Sequence, residues 1–148
     1  MQLMAKHYFL FPFFILATFF GLGAQSTDSP EGRWKTIDDE TGETKSVVEI
    51  YEQDGAYYGR IAKIINEDQR DALCENCKGE RKNKPVLGMV IVEDLKLSGD
   101  YWKGGTILDP EKGATYKLSA WYEEDPNTLF IRGKHWTGLY RTQQWSRE

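Results

Sequence analysis

Cysteine, histidine and proline are all scarce: the 148 residues include two Cys, two His and five Pro. The two cysteines, Cys74 and Cys77, are too few for a disulfide-stapled scaffold, and with no second pair they supply only half of a tetrahedral metal site. One histidine, His7, falls in the N-terminal apolar stretch, so His135 alone serves the rest of the chain. A Gly-x-Ser-x-Gly elbow, a phosphate-cradling glycine loop and a His-Glu-x-x-His helix are all missing. A Ser-His-Asp set stays open, because such sets assemble in space. Positive charge is also short, with 19 Lys and Arg against 23 Asp and Glu. A chain of net charge −4 with no basic stripe in its sequence has no general attraction for nucleic acid, and no nucleic-acid partner is expected.

Only one long apolar run is present. Lys6 and His7 form a short basic start, Tyr8 to Leu22 is almost wholly apolar, and Gly21, Gly23, Ala24 and Ser26 supply the small residues of a signal-peptidase site. Residues 1–26 are therefore expected to be a cleaved signal peptide, with cleavage after Ala24 as the alternative. Interrupted by Pro12, the run falls short of the roughly 20 residues that a bilayer span needs. No stable membrane span is expected once this leader is removed, and a periplasmic or secreted location follows. No Cys follows the run, so a lipoprotein anchor at this boundary is excluded. Residues 27–148 form one domain's length, long enough to bury a core without staples.

That domain divides into eight segments rich in Val, Ile, Thr and aromatic residues: 32–38, 45–53, 57–65, 88–95, 101–108, 115–122, 128–136 and 139–147. Turn signals separate them. Asp54-Gly55 and Ser98-Gly99-Asp100 suit hairpins, Asp109-Pro110 with Gly113 places Pro early and Gly late, and Asp125-Pro126-Asn127 starts another turn. Regular spacing with little helical signal predicts an all-β fold, a single antiparallel up-and-down barrel of eight strands, because closure removes exposed edges. Gly104-Gly105 within the fifth segment predicts a bulge.

One long connection, Asn66–Pro85, departs from this pattern. Asn66 with Gln69 reads as a helix N-cap with its box partner, so a short helix through about Leu73 is expected before Cys74-Glu75-Asn76-Cys77 and a basic run. In an oxidising compartment the cysteine pair reads as a small structural disulfide. Two sharper readings stay open, a redox pair and a metal site completed by His135 or a carboxylate. Against the redox reading, Cys74 would follow a helix and adjoin Glu75, which disfavours a thiolate. Gly32-Arg33-Trp34 at the first strand suits a bend and an apolar plug, and Trp145-Ser146-Arg147 at the last strand offers a cation to stack on that tryptophan. Seven aromatics lie in the leader, which leaves 13 for the domain, most of them for packing. Tyr116, Arg132 and Arg141 are the candidates to line a ligand cavity.

Taken in order, these motifs resemble a bacterial exported family, domain of unknown function 2147, over Gly32 to Arg147. Gly32-Arg33-Trp34, Val48-Glu49-Ile50, Tyr58-Gly59-Arg60-Ile61, Cys74-x-x-Cys77, Gly88-Met89, Gly105 to Pro110, Gly113, Tyr116, Arg132-Gly133 and Trp145-Ser146-Arg147 carry the likeness. The resemblance implies a lipocalin-like (calycin) barrel in a Gram-negative envelope, and it implies no established activity or catalytic residue. Arg141-Thr142-Gln143 stands where fatty-acid-binding calycins carry Arg-x-Tyr, so that mode of carboxylate capture is not supported. The expected function is a binding module for a small amphipathic ligand, with Asn66–Pro85 as its lid and no cofactor. An envelope protein–protein interaction or inhibitor role and a Cys-x-x-Cys redox enzyme are the alternatives.

Overall fold

A computed structural model of the chain describes residues 29–38 and 40–148. The expected leader and its cleavage site lie outside the described residues. Eight strands follow in order: β1 (Gly32–Ile37), β2 (Thr44–Gln53), β3 (Ala56–Ile64), β4 (Val90–Ser98), β5 (Tyr101–Asp109), β6 (Ala114–Tyr122), β7 (Thr128–Lys134) and β8 (Tyr140–Arg147). Each pairs antiparallel with its sequence neighbour, and β1 pairs with β8 through Trp34↔Arg147 and Lys35↔Ser146. The sheet is closed into a barrel, as the spacing of strands and turns predicts.

Local chemistry explains the path. Asp54 and Gly55 both adopt positive φ (53° and 79°), the two-residue hairpin geometry whose twist matches its flanking strands. The predicted bulge is present: pairing shifts between Lys103 and Gly105, and Gly104 takes φ 85°. Gly105 itself has no room for a side chain, since a Cβ there would stand 2.3 Å from the Glu93 carbonyl oxygen. A bare backbone at this point allows β5 to coil against β4.

One buried cluster joins the inner-facing residues of all eight strands, including Val48, Ile61, Val92, Leu118, Leu129 and Ile131. Trp34, Trp102 and Trp145 are among its largest members, each at most 2% exposed. Burying one such ring contributes about 4–6 kcal/mol as an upper bound. Because paired residues share a face, the register assigns the walls. Val92 faces in with Ile107, so Ile91 and Leu108 face out. Hairpins β2–β3, β4–β5 and β6–β7 lie at one end, here the floor, together with the start of β1 and the end of β8. The other four connections surround the mouth.

The connection between β3 and β4 differs from the expected helix. Asn66 does cap a turn, its side-chain oxygen accepting from the Asp68 N–H, but that turn is a single 3₁₀ turn, Glu67–Gln69. The chain then extends, because Leu73 and Pro85 form a β-bridge and the Cys74 N–H donates to the Lys84 carbonyl. A long-range backbone partner has displaced further helical bonding. A second 3₁₀ turn, Gly79–Arg81, has no counterpart in the sequence reading.

Candidate ligand site in the barrel interior

The floor of the barrel is built from three indoles, and their N–H groups are satisfied unequally. Trp34 Nε1 donates to the Pro30 carbonyl at 2.9 Å. Trp145 Nε1 donates to Gln143 Oε1 at 3.1 Å. Trp102 Nε1 is buried with no acceptor among the described residues. Trp102 faces inward opposite Ala120, and Tyr122 meets its ring edge-on at 5.4 Å between centroids. An unmatched buried donor costs about 1–3 kcal/mol, so interiors rarely leave one without an occupant.

Towards the mouth the inner wall becomes polar. Thr36 and Ser46 oppose each other across β1 and β2 with hydroxyls 2.8 Å apart, and Gln143 Nε2 donates to the Ile37 carbonyl at 3.4 Å. Tyr116 and Arg141 belong to this inner face: Leu118 pairs with Gly133 and Gly133 with Arg141, which puts all three on one side. Tyr116 also lies 6.0 Å from the His135 ring, and its Cβ borders Gly133. Arg132, one residue out of phase, stands on the outer wall. Its guanidinium stacks over Trp121 (4.9 Å) and Tyr140 (4.6 Å) and donates to Thr142 Oγ1. The structure thus brings Tyr116 and Arg141 to one face and Arg132 to the other.

At the floor, Arg147 lies with its guanidinium carbon 4.2 Å from the Trp34 ring and donates to the Glu31 and Pro126 carbonyls and to the Tyr122 hydroxyl. A Cβ on Gly32, whose φ is 135°, would stand 2.5 Å from Arg147 Nη1. Glycine at this position admits the arginine that latches β8 to β1. The C-terminus adds an ion pair from Arg33 to Glu148, and that hydrogen bond holds the Glu148 carboxyl below its usual range. Backbone N–H groups of Thr41 and Glu40 lower Asp38 in the same way, as those of a tight turn do at any N-cap-like carboxylate.

Cys74 and Cys77 form a disulfide and both are buried. Cys74 Sγ lies 3.1 Å from the Pro110 carbonyl oxygen, and Asn76 Nδ2 donates to the Glu111 carbonyl at 2.7 Å. Arg81 pairs with Glu93 on the outer side of β4 at 2.5 Å. Cys74, Cys77 and Met89 are buried in one cluster with the outward-facing Ile91 and Leu108. Instead of closing over the mouth as a lid, the connection braces the flank of β4 and β5. The physical reason is the two apolar residues on the outside of those strands, which need a cover. A shallow cleft of about 410 Å³ runs along this brace past Arg81, Lys84 and Leu87. Changing both cysteines to serine is expected to cost about 2 kcal/mol, the value for a small closed loop, with the barrel's circular dichroism intact. Urea melts of the two proteins check this.

Among the described residues no three His, Cys, Asp or Glu side chains are grouped to hold a metal ion, and no helix is long and apolar enough to cross a membrane. Sequence reading missed Trp102 as a site residue. Its aromatic character was visible, but the bulge at Gly104 shifts the phase of β5 and hides which way the ring points.

Comparison with known proteins agrees with this geometry. Protein HP1028 from the human pathogen Helicobacter pylori, described as belonging to the lipocalin family, superimposes with a TM-score of 0.69 at 21% identity, covering 81% of this chain and 83% of that one. At this identity the likeness concerns the fold. No curated protein matches. Residues 32–147 match the family DUF2147, described as "Uncharacterized protein conserved in bacteria", and with the whole barrel inside that match the chain belongs to this family.

Proposed function

We propose that the protein is an exported module that binds one small amphipathic ligand inside its barrel, and that Trp102 Nε1 donates a hydrogen bond to it. The unmatched indole N–H carries the reading, since its two counterparts on the same floor both have carbonyl acceptors. The lipocalin-like fold supports it, because eight-stranded barrels enclose a single small ligand. The three tryptophans fill the floor, so the ligand is short, with an acceptor group directed to Trp102 and polar atoms towards Thr36, Ser46 and Gln143. A periplasmic or secreted location is part of the proposal, supported by the apolar leader and the oxidised cysteine pair.

The test is native mass spectrometry of protein purified from its own host, repeated with Trp102→Phe. The parent is expected to retain a small molecule, and the variant to hold it about tenfold less tightly, the equivalent of one hydrogen bond. Empty parent protein that also ignores a panel of amphipathic compounds would sink the reading. A second reading, an interaction or inhibitor protein of the envelope, draws support from the large exposed apolar side chains of Trp136 and Leu139, which offer the outer surface as the place for recognition.

A further inference from the structure

The outer wall of β6, β7 and β8 differs from the rest of the surface in charge and in exposed apolar area. Across these three strands the outward-facing Lys and Arg are Lys117, Arg132 and Lys134, and there is no Asp or Glu. None of the seven ion pairs among the described residues involves Lys117, Arg132 or Lys134. The opposite flank is matched instead, with Arg60 on Glu49 and Arg81 on Glu93. Lys117 and Lys134 stand directly opposite each other in the β6–β7 register, an arrangement that destabilises a sheet when no anion intervenes. In a chain of net charge −4, this segregation is a product of folding.

Apolar surface coincides with that charge. Tyr101, Trp121 and Phe130 follow one another across the wall, Tyr101 tilted against Trp121 at 5.8 Å and Trp121 stacked on Phe130 at 5.5 Å, and Arg132 continues the row to Tyr140. The row ends at the β7–β8 hairpin, where Trp136 is 87% and Leu139 75% exposed. The hairpin is held shut by His135 N–H to the Leu139 carbonyl at 2.7 Å and by the His135–Thr137 side-chain contact. Two large apolar groups are therefore presented on a closed turn at little further entropic cost.

We infer that this wall, led by Trp136 and Leu139, docks on the surface of an anionic lipid bilayer. Tryptophan and tyrosine favour the headgroup boundary, leucine favours the acyl region, and lysines facing anionic lipid each add a favourable term. A sugar polymer would use the stacked rings but has no use for Leu139, which favours lipid as the occupant. The acidic β1–β2 connection, with Asp38, Glu40 and Glu43 on the same rim, sets the pose: its repulsion tips the barrel onto its side wall instead of its mouth. The inference stands apart from the interior ligand site, and either can fail alone.

The experiment is co-sedimentation of the intact chain with phosphatidylcholine vesicles and with mixed phosphatidylcholine–phosphatidylglycerol vesicles, at low and high salt. The apolar N-terminal stretch is common to all variants, so differences between variants report on the wall. Binding is expected to favour the anionic vesicles, to weaken with salt, and to fall roughly 25-fold in Lys117→Gln, Lys134→Gln, about fivefold per lysine. All five tryptophans lie outside the leader, so brominated lipid should quench a fraction of indole fluorescence that disappears in Trp136→Phe. Lys78→Gln, Lys82→Gln on the braced connection should change nothing. Equal binding to both vesicle types, insensitivity to the Lys117 and Lys134 changes, or capture by heparin without vesicle binding would each overturn the inference.

Discussion

Trp34→Ala is expected to lower the unfolding free energy by about 3–5 kcal/mol, a large part of what a domain of this size has. Trp34 is completely buried, donates to Pro30, meets the Tyr122 ring at 6.1 Å and lies beneath the Arg147 guanidinium. Truncation leaves a cavity at the one seam held by only two register pairs, Trp34↔Arg147 and Lys35↔Ser146. The Pro30 carbonyl and the arginine both lose their partner at the same time. Arg147→Lys keeps the charge but loses the planar stacking, and should cost only about 1 kcal/mol. Urea titration followed by circular dichroism separates the two. A Trp34→Ala loss no larger than that of Arg147→Lys would show that the barrel does not depend on this plug.

The second large effect is expected at Gly113. It turns the chain between β5 and β6 at φ 63°, and a Cβ there would stand 2.0 Å from the Asn76 carbonyl oxygen and 2.8 Å from the Cys77 nitrogen. Those are backbone atoms held by the disulfide, so they have little freedom to yield. Gly113→Ala should cost about 3 kcal/mol, combining left-handed strain with forced separation of the brace from the turn. Gly99 provides the internal control. Its φ of 68° is nearly the same, yet nothing lies within 4 Å of its Cβ position. Gly99→Ala should therefore lose only the conformational part, about 1 kcal/mol. Hydrogen exchange adds a local readout: the Cys74 and Asn83 amides, bonded to Lys84 and Cys74, should exchange faster in Gly113→Ala alone. Equal losses for the two alanines would remove the contact argument.

Much of the architecture was legible in order and composition. Asp54-Gly55, Ser98-Gly99 and Gly113 marked turns because few residues accept positive φ, and β-branched and aromatic runs between them marked strands. Strand ends agreed to within a few residues, for instance 57–65 read against Ala56–Ile64 found. The helix after Asn66 was over-extended, since a cap specifies where a turn begins but says nothing of the distant strand edge that pulls Leu73 towards Pro85. The interior donor was not legible at all. Whether an indole N–H finds an acceptor depends on how its ring and the nearby chain are turned in the folded barrel: Trp34 and Trp145 reach Pro30 and Gln143, close in sequence, yet look no different from Trp102 in a list of residues.

Local preferences along the chain were sufficient to determine strand number and turn positions, because each depends on neighbours a few residues away, while closure was expected only from the need to remove exposed edges. Three things were decided only in the folded barrel. The bulge at Gly104 sets which way Trp102 points, the cover needed by Ile91 and Leu108 draws the long connection onto the flank, and the register gathers lysines scattered over β6 and β7 onto one acid-free wall. All three are consequences of phase: in a pleated sheet a single residue of shift moves a side chain from core to solvent, and only the assembled strands fix that shift.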